Sequence, residues 1–167
     1  MNYFLDTEFI EDGPERPIEL LSVGIVSDDG RSFYAENQSA DLGRANDWVR
    51  ANVLPHMRGP KMSRADIARA VVEFMPPASK PKVWGYFADY DWVLFAQLFG
   101  RMIDLPKGYP FYCRDLKQWA DALGIKRDRF PDQKGQEHNA LADAEWNRSL
   151  FRFLSAAQGR EPEPDDA

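Results

Sequence analysis

Asp6 and Glu8 stand two residues apart in Tyr3-Phe4-Leu5-Asp6-Thr7-Glu8-Phe9-Ile10. On a strand, both carboxylates therefore leave one face and Thr7 leaves the other. The flanking Tyr3, Phe4, Leu5, Phe9 and Ile10 make this an apolar, central type of strand. Two unpaired acids are costly there unless something cationic sits between them. A solvated strand end beside the loop from Glu11 to Pro17 would also account for an isolated Asp-x-Glu, a spacing common by chance, but the apolar flanks weigh against it.

Further acids sit at the heads of apolar stripes. Asp91, Leu94, Phe95 and Leu98 fall at i, i+3, i+4 and i+7, so Asp91 leads the face of a helix that turns towards a sheet. An acid in a first helical turn also serves the helix dipole. Asp89 could fill that role, and this segment alone leaves the choice between Asp89 and Asp91 open. In the last helix Asn139 is the expected N-cap, which makes His138 the N′ residue and Asp143 the N4 residue. Those two positions meet in a hydrophobic staple; here the contact joins an imidazole and a carboxylate. Asp143 leads a stripe through Trp146, Leu150, Phe153 and Leu154, with Glu145, Arg148 and Arg152 opposite, so it points at the sheet. A lone histidine is often a loop residue bonded to backbone; His56, the other one, follows Pro55 and reads as structural.

The elements that must carry these side chains are legible in outline. Asn2 to Phe9, Ile18 to Ser27 and Arg31 to Glu36 read as strands, the last two joined antiparallel by the Asp28-Asp29-Gly30 turn. Helices follow over Asn46 to Val53 and Ser63 to Phe74, the second capped by Ser63 and closed by Pro76-Pro77. Lys82 to Tyr86 predicts a short buried strand, Tyr90 to Phe99 a helix stopped by Gly100, and Phe111 to Cys113 a further strand. A helix from Arg114 to Leu123, stopped by Gly124, precedes a polar loop from Ile125 to Glu137 and the final helix from about Ala140 to Leu154. Three strands followed by alternating strands and helices indicate an α/β sandwich, a mixed sheet with helices on its faces. The Tyr90 to Phe99 helix carries a second apolar face, Trp92, Phe95, Ala96 and Phe99, which is either buried on both sides or half of an interface.

Composition bounds the function. At 167 residues and 44% apolar content, one domain over 1–157 with a sizeable core is expected, followed by an acidic tail over 158–167 with nothing to bury. No basic n-region, signal-length apolar stretch or membrane span is found, so a cytoplasmic protein is expected. The single cysteine, Cys113, excludes an internal disulfide and a cysteine-based zinc site, and reads as a packed strand residue. The 21 Lys and Arg against 27 Asp and Glu give a net charge of −6, which argues against wrapping a polyanion over a large surface. Carboxylates that hold divalent cations would lower the negative potential a nucleic acid meets.

The series Asp6-Thr7-Glu8, Asp91 after a strand, and His138 with four residues between it and Asp143, in a strand-first α/β order, resembles the DEDD superfamily of 3′-to-5′ exonucleases. It resembles the histidine-bearing DEDDh branch, which includes oligoribonuclease and ribonuclease T. The tyrosine-bearing branch places Tyr four residues before the last Asp, where this chain has Asn139. Asp6-Thr7-Glu8-Phe9-Ile10-Glu11-Asp12-Gly13 and Trp48-Val49-Arg50 to Val53-Leu54-Pro55 resemble a narrower group, the mycobacterial-type exoribonucleases, and the likeness runs to Leu154.

The resemblance implies a ribonuclease H-like mixed sheet flanked by helices on both faces, and hydrolysis of RNA from its 3′ end with release of nucleoside 5′-monophosphates. It implies two divalent cations, Mg²⁺ or Mn²⁺, roughly 3.5 to 4 Å apart. Asp6 would bridge both, Glu8 and Asp143 would hold the one that activates water, Asp91 the other, and His138 would take the water's proton. Phe9 is the candidate for stacking on the terminal base, or else simply core; Thr7 would offer its backbone to the terminal sugar. Lys126, Arg127, Arg129 and Lys134 offer phosphate contacts on a loop that either closes over substrate, ordering His138, or is a solvated charged loop. Relatives in this branch are often homodimers, so a homodimer is expected. A DNA-directed proofreading-type exonuclease, a ribonuclease H-like endonuclease and a noncatalytic binding module are the competing functions; the last requires a lost ligand, and all five groups are present.

Overall fold

The computed structural model describes residues 1–135 and 137–159. Its strands are β1 (Asn2–Ile10), β2 (Glu19–Ser27), β3 (Ser32–Asn37), β4 (Lys61–Met62), β5 (Lys82–Gly85) and β6 (Arg114–Asp115). The helices are α1 (Asp47–Asn52), α2 (Arg64–Phe74), α3 (Asp89–Gln97), α4 (Leu116–Ala122) and α5 (Ala140–Gln158). The strands form one mixed sheet in the order β4-β3-β2-β1-β5-β6. β1 pairs antiparallel with β2 and parallel with β5, which places it in the interior of the sheet. β2 and β3 pair antiparallel around the acidic turn, where Gly30 has φ of 92°, a conformation that side-chain-bearing residues avoid.

Alternation along β1 assigns its residues to two layers. Tyr3 and Leu5 are fully buried in a core with Ile67 and Val71 of α2 and Leu94 and Phe95 of α3. Phe4 faces the other way and packs on Phe151 of α5, ring centroids 5.1 Å apart. Asp6 and Glu8 share the parity of Phe4, whereas Thr7 shares that of Leu5, so helices cover both faces and the acids lie under α5. The register shifts between Glu8 and Phe9, a bulge that interrupts the ladder beside the acids before pairing resumes at Phe9 and Leu20.

Three sequence expectations need correction, and one open alternative is resolved. The strand expected at Phe111 to Cys113 lies at Arg114–Asp115, where Trp84 pairs with Arg114 and Gly85 with Asp115; Phe111 and Tyr112 are exposed. Helix α4 therefore begins at Leu116, with Asp115 as its N-cap accepting from the Gln118 amide at 2.8 Å. Helix α5 continues beyond Leu154 to Gln158, the first position of the expected tail; positions 160–167 lie outside the described residues. The second apolar face of α3 is core: Phe95 and Ala96 are buried, and Tyr109 covers Phe95 and Phe99 at 6.1 and 5.7 Å. The two-residue β4 gave no periodic signal and was not anticipated.

Candidate active site

Asp6, Glu8 and Asp143 each present a carboxylate oxygen, and these three atoms lie within 4.8 Å of one another. Two come from β1 and the third from the first turn of α5, which starts where expected: the Asn139 side chain accepts from the Ala142 amide at 3.2 Å. What allows the helix to reach the sheet is Gly24, the cross-strand partner of Asp6. A Cβ at Gly24 would stand 2.2 Å from the Ala140 carbonyl oxygen, so any side chain there would lift α5 and carry Asp143 away. One turn further along α5, the buried Asn147 donates to the Leu5 carbonyl at 3.0 Å, tying the helix to the strand immediately before Asp6.

Three carboxylates at this spacing oppose each other's ionisation. Burial, then the charges of Asp91, Asp143 and Glu8, push Asp6 well above the ordinary carboxylate range. Glu8 is pushed up to about 8 by burial and by the charges of Asp143 and Asp91. Burial also raises Asp143, against the pull of a hydrogen bond from the Gln133 side-chain amide, of His138 and of the Asn139 and His138 backbone. A cluster of this kind holds protons near neutral pH unless a cation displaces them, and all-oxygen donors suit a hard divalent ion. The donor set therefore fits the expected metal.

Asp91 belongs to a different arrangement. It is 6% exposed on α3, and its Oδ1 accepts both the Thr7 amide, at 2.8 Å, and the Thr7 hydroxyl, at 2.6 Å. Burial raises it to about 6, and the two Thr7 bonds hold it from rising further. Asp89 is exposed at the first position of α3, while Ala88 occupies the cap, so Asp91 is the acid that meets β1. Thr7 thus spends its amide and hydroxyl on Asp91. Phe9 is half-buried against the core and pairs with Tyr90, ring centroids 5.5 Å apart.

His138 lines a cleft of roughly 230 Å³ together with Asp6, Asp143 and Asn147. Its backbone has φ of 62°, a left-handed conformation costing a residue with a side chain about 1 to 3 kcal/mol. The imidazole meets Trp48 of α1 edge-on, centroids 4.8 Å apart at 77°, and Trp48 is 54% exposed. The loop before His138 is partly anchored, not simply solvated: Phe130 is buried and the Trp146 indole donates to the Pro131 carbonyl at 2.9 Å. The structure thus brings Asp6, Asp143 and His138 to one cleft, with Glu8 beside the two acids and Asp91 adjoining through Thr7. Sequence reasoning missed Gly24, Gln133, Asn147 and Trp48 as contributors. Asn147, at i+4 from Asp143 on the buried stripe, carried a readable signal; Gly24 and Gln133 act through contacts distant in sequence and carried none.

A family model described as the 3′-5′ exoribonuclease Rv2179c-like domain matches residues 1–155. The chain belongs to this family. The 3′-5′ exoribonuclease Rv2179c of Mycobacterium tuberculosis (strain ATCC 25618 / H37Rv) is 38% identical over 162 residues, spanning 93% of this chain and 94% of that protein. The 3′-5′ exoribonuclease MT2234.1 of Mycobacterium tuberculosis (strain CDC 1551 / Oshkosh) is likewise 38% identical over 162 residues. A solved structure described as 3′-end specific recognition of histone mRNA stem-loop by 3′-exonuclease superposes with a TM-score of 0.55 at 14% identity, covering 93% of this chain and 81% of that one. That likeness shows the shared α/β fold. Membership of the Rv2179c-like family agrees with the strings around Asp6 and Trp48 that pointed to mycobacterial-type exoribonucleases.

Proposed function

We propose that this chain is a 3′-5′ exoribonuclease that removes nucleoside 5′-monophosphates from single-stranded RNA or 3′ overhangs with the aid of two divalent cations, Mg²⁺ or Mn²⁺. The observation that carries this reading is the convergence of Asp6, Glu8 and Asp143 within 4.8 Å in a chain of this family. Asp6, Glu8, Asp143 and Asp91 would hold the ions, which supply charge neutralisation at the attacking and leaving oxygens and acidify a bound water.

The chain's own groups do the rest. His138, in the same cleft as Asp6 and Asp143, accepts the proton of the attacking water at an imidazole nitrogen. Gln133 and the backbone around His138 orient Asp143, and Asn147 fixes β1 beside Asp6. Thr7 sets Asp91, and Phe9 with Tyr90 forms the wall beside Glu8 where the terminal nucleoside stacks. Phe87 just before α3 and Val93 on it are exposed apolar side chains and support the reading that two copies associate. Action on RNA in the cytoplasm is part of the same proposal; among the described residues no helix is long and apolar enough to cross a membrane.

The test uses RNA and DNA strands labelled at either end, incubated with Mg²⁺, Mn²⁺ or chelator. Stepwise loss from the 3′ end of RNA in metal, and none in chelator, is the expected result; internal cuts or metal-independent turnover contradict it. His138→Ala is expected to lower turnover by about 10² to 10⁴-fold while the metal still raises the melting temperature. Unchanged turnover removes His138 from the role of base.

A further inference from the structure

Four cations lie on the segment before His138, and one of them, Arg127, lines the cleft that holds Asp6, Asp143 and His138. Arg127 opens a single turn of 3-10 helix, Arg127–Arg129, which the buried Phe130 plugs into the core under α5. Its guanidinium carbon lies 4.9 Å from the centroid of the Trp146 ring and 5.5 Å from that of Phe130. Both rings are themselves fixed: Phe130 is 8% and Trp146 7% exposed, and the Trp146 indole is bonded to the Pro131 carbonyl.

A guanidinium laid against aromatic rings keeps its in-plane N–H edges for bonding, and that planar fork matches phosphate oxygens. Among the described residues Arg127 forms no ion pair with a carboxylate. A rotamer held on two rings also loses less freedom on binding than a solvated arginine.

The position selects which phosphate. Asp6, Glu8 and Asp143 mark the scissile group, and the Phe9 and Tyr90 pair lies on the α3 side of β1. Arg127 stands on the α5 side, beyond Asp143, with Trp146 and Tyr86. A strand whose terminal nucleoside lay against Phe9 would have to pass the acids before reaching Arg127, so Arg127 would meet a phosphate on the 5′ side of the scissile one. We propose that Arg127 is a substrate-binding residue that grips the phosphate one step upstream of the scissile one, and so makes the enzyme favour substrates with at least two phosphodiesters. This rests on the 3′-exonuclease reading and adds a length preference to it.

The experiment compares a dinucleoside monophosphate, whose one phosphate is scissile, with the corresponding trinucleotide, for the wild type, Arg127→Lys and Arg127→Met. Arg127→Met is expected to lower kcat/KM on the trinucleotide by about ten- to a hundredfold and on the dinucleotide by a clearly smaller factor, with Arg127→Lys between. The slope of log kcat/KM against log salt for the trinucleotide should become shallower by about 0.7, the contribution of one lost phosphate contact. Equal losses on both substrates with an unchanged salt slope overturn the proposal. Equilibrium binding of the two ligands in Ca²⁺ reads the same preference without turnover. A wild type that binds the trinucleotide through Arg127 but cleaves neither ligand contradicts the exonuclease reading and leaves the phosphate site standing.

Discussion

β1 and α5 bring together three acids that repel one another, whereas α3 brings a fourth that the protein has already satisfied. Asp6, Glu8 and Asp143 meet across a gap set by Gly24; burial makes each of them a reluctant anion, and for Asp6 and Glu8 the neighbouring acids add to it. Asp91 stands next to them with two hydrogen bonds from Thr7 on one oxygen, so its position does not depend on any ion. The trio is thus a cage whose charge is completed from outside, and Asp91 is a preorganised neighbour with one oxygen left to offer.

The largest expected effect comes from removing one acid of the trio. Asp6→Asn should abolish turnover, since it takes away the carboxylate common to the cluster. It should nevertheless make the metal-free protein melt higher, by about 2 to 4 °C for each kcal/mol of repulsion relieved. Thermal melts with and without Mg²⁺, beside an RNA assay, read both outcomes. A metal-free Asp6→Asn that melts lower than the wild type would show that the three acids are not under electrostatic strain.

A smaller effect is expected where the protein has done the positioning. Thr7→Val preserves shape and the backbone amide but deletes the 2.6 Å hydroxyl bond to Asp91. Losing one hydrogen bond to a charged group is worth about 1.5 to 3 kcal/mol, so kcat should fall by roughly ten- to a hundredfold with the melting shift produced by metal nearly intact. If Thr7→Val instead loses the metal-induced shift, Asp91 belongs to the same cage as the other three and the contrast drawn above fails.

This division also marks what the sequence could carry. Asp6, Glu8 and Asp143 were legible because each is an acid out of place, on an apolar strand or at the head of an apolar stripe, and such conflicts between pattern and residue type are local. The mixed sheet followed from the order of elements, and the caps at Ser63 and Asn139 from their chemistry. Asp91 could not be separated from Asp89 because the deciding contact is with Thr7, 84 positions away. Gly24 read as an ordinary strand glycine, since the backbone that crowds it belongs to α5. The strand at Arg114–Asp115 was displaced by three residues because Phe111 and Tyr112 have the stronger strand composition, while pairing with β5 is what fixes the register.

Titration separates the two arrangements with the mildest perturbation. Glu8 ionises near 8 in the folded chain against an ordinary 4.5, so the folded state binds this proton more tightly than the unfolded one. Its contribution to stability is complete below pH 4.5 and is lost as the pH rises through 8. Asp91, raised to about 6, loses its share earlier in the same climb. The metal-free protein should therefore melt progressively lower from pH 5 to pH 8.5, and the rise produced by Mg²⁺ should grow across the same interval as the ion replaces the departing protons. Glu8→Gln should make the metal-free decline shallower from about pH 4.5 to 8, while the shares of Asp6, Asp91 and Asp143 remain. A Glu8→Gln profile that retains the full decline between pH 6.5 and 8.5 would mean that the proton held near neutrality belongs elsewhere, and that the cage is less strained than the approach of Asp6, Glu8 and Asp143 implies.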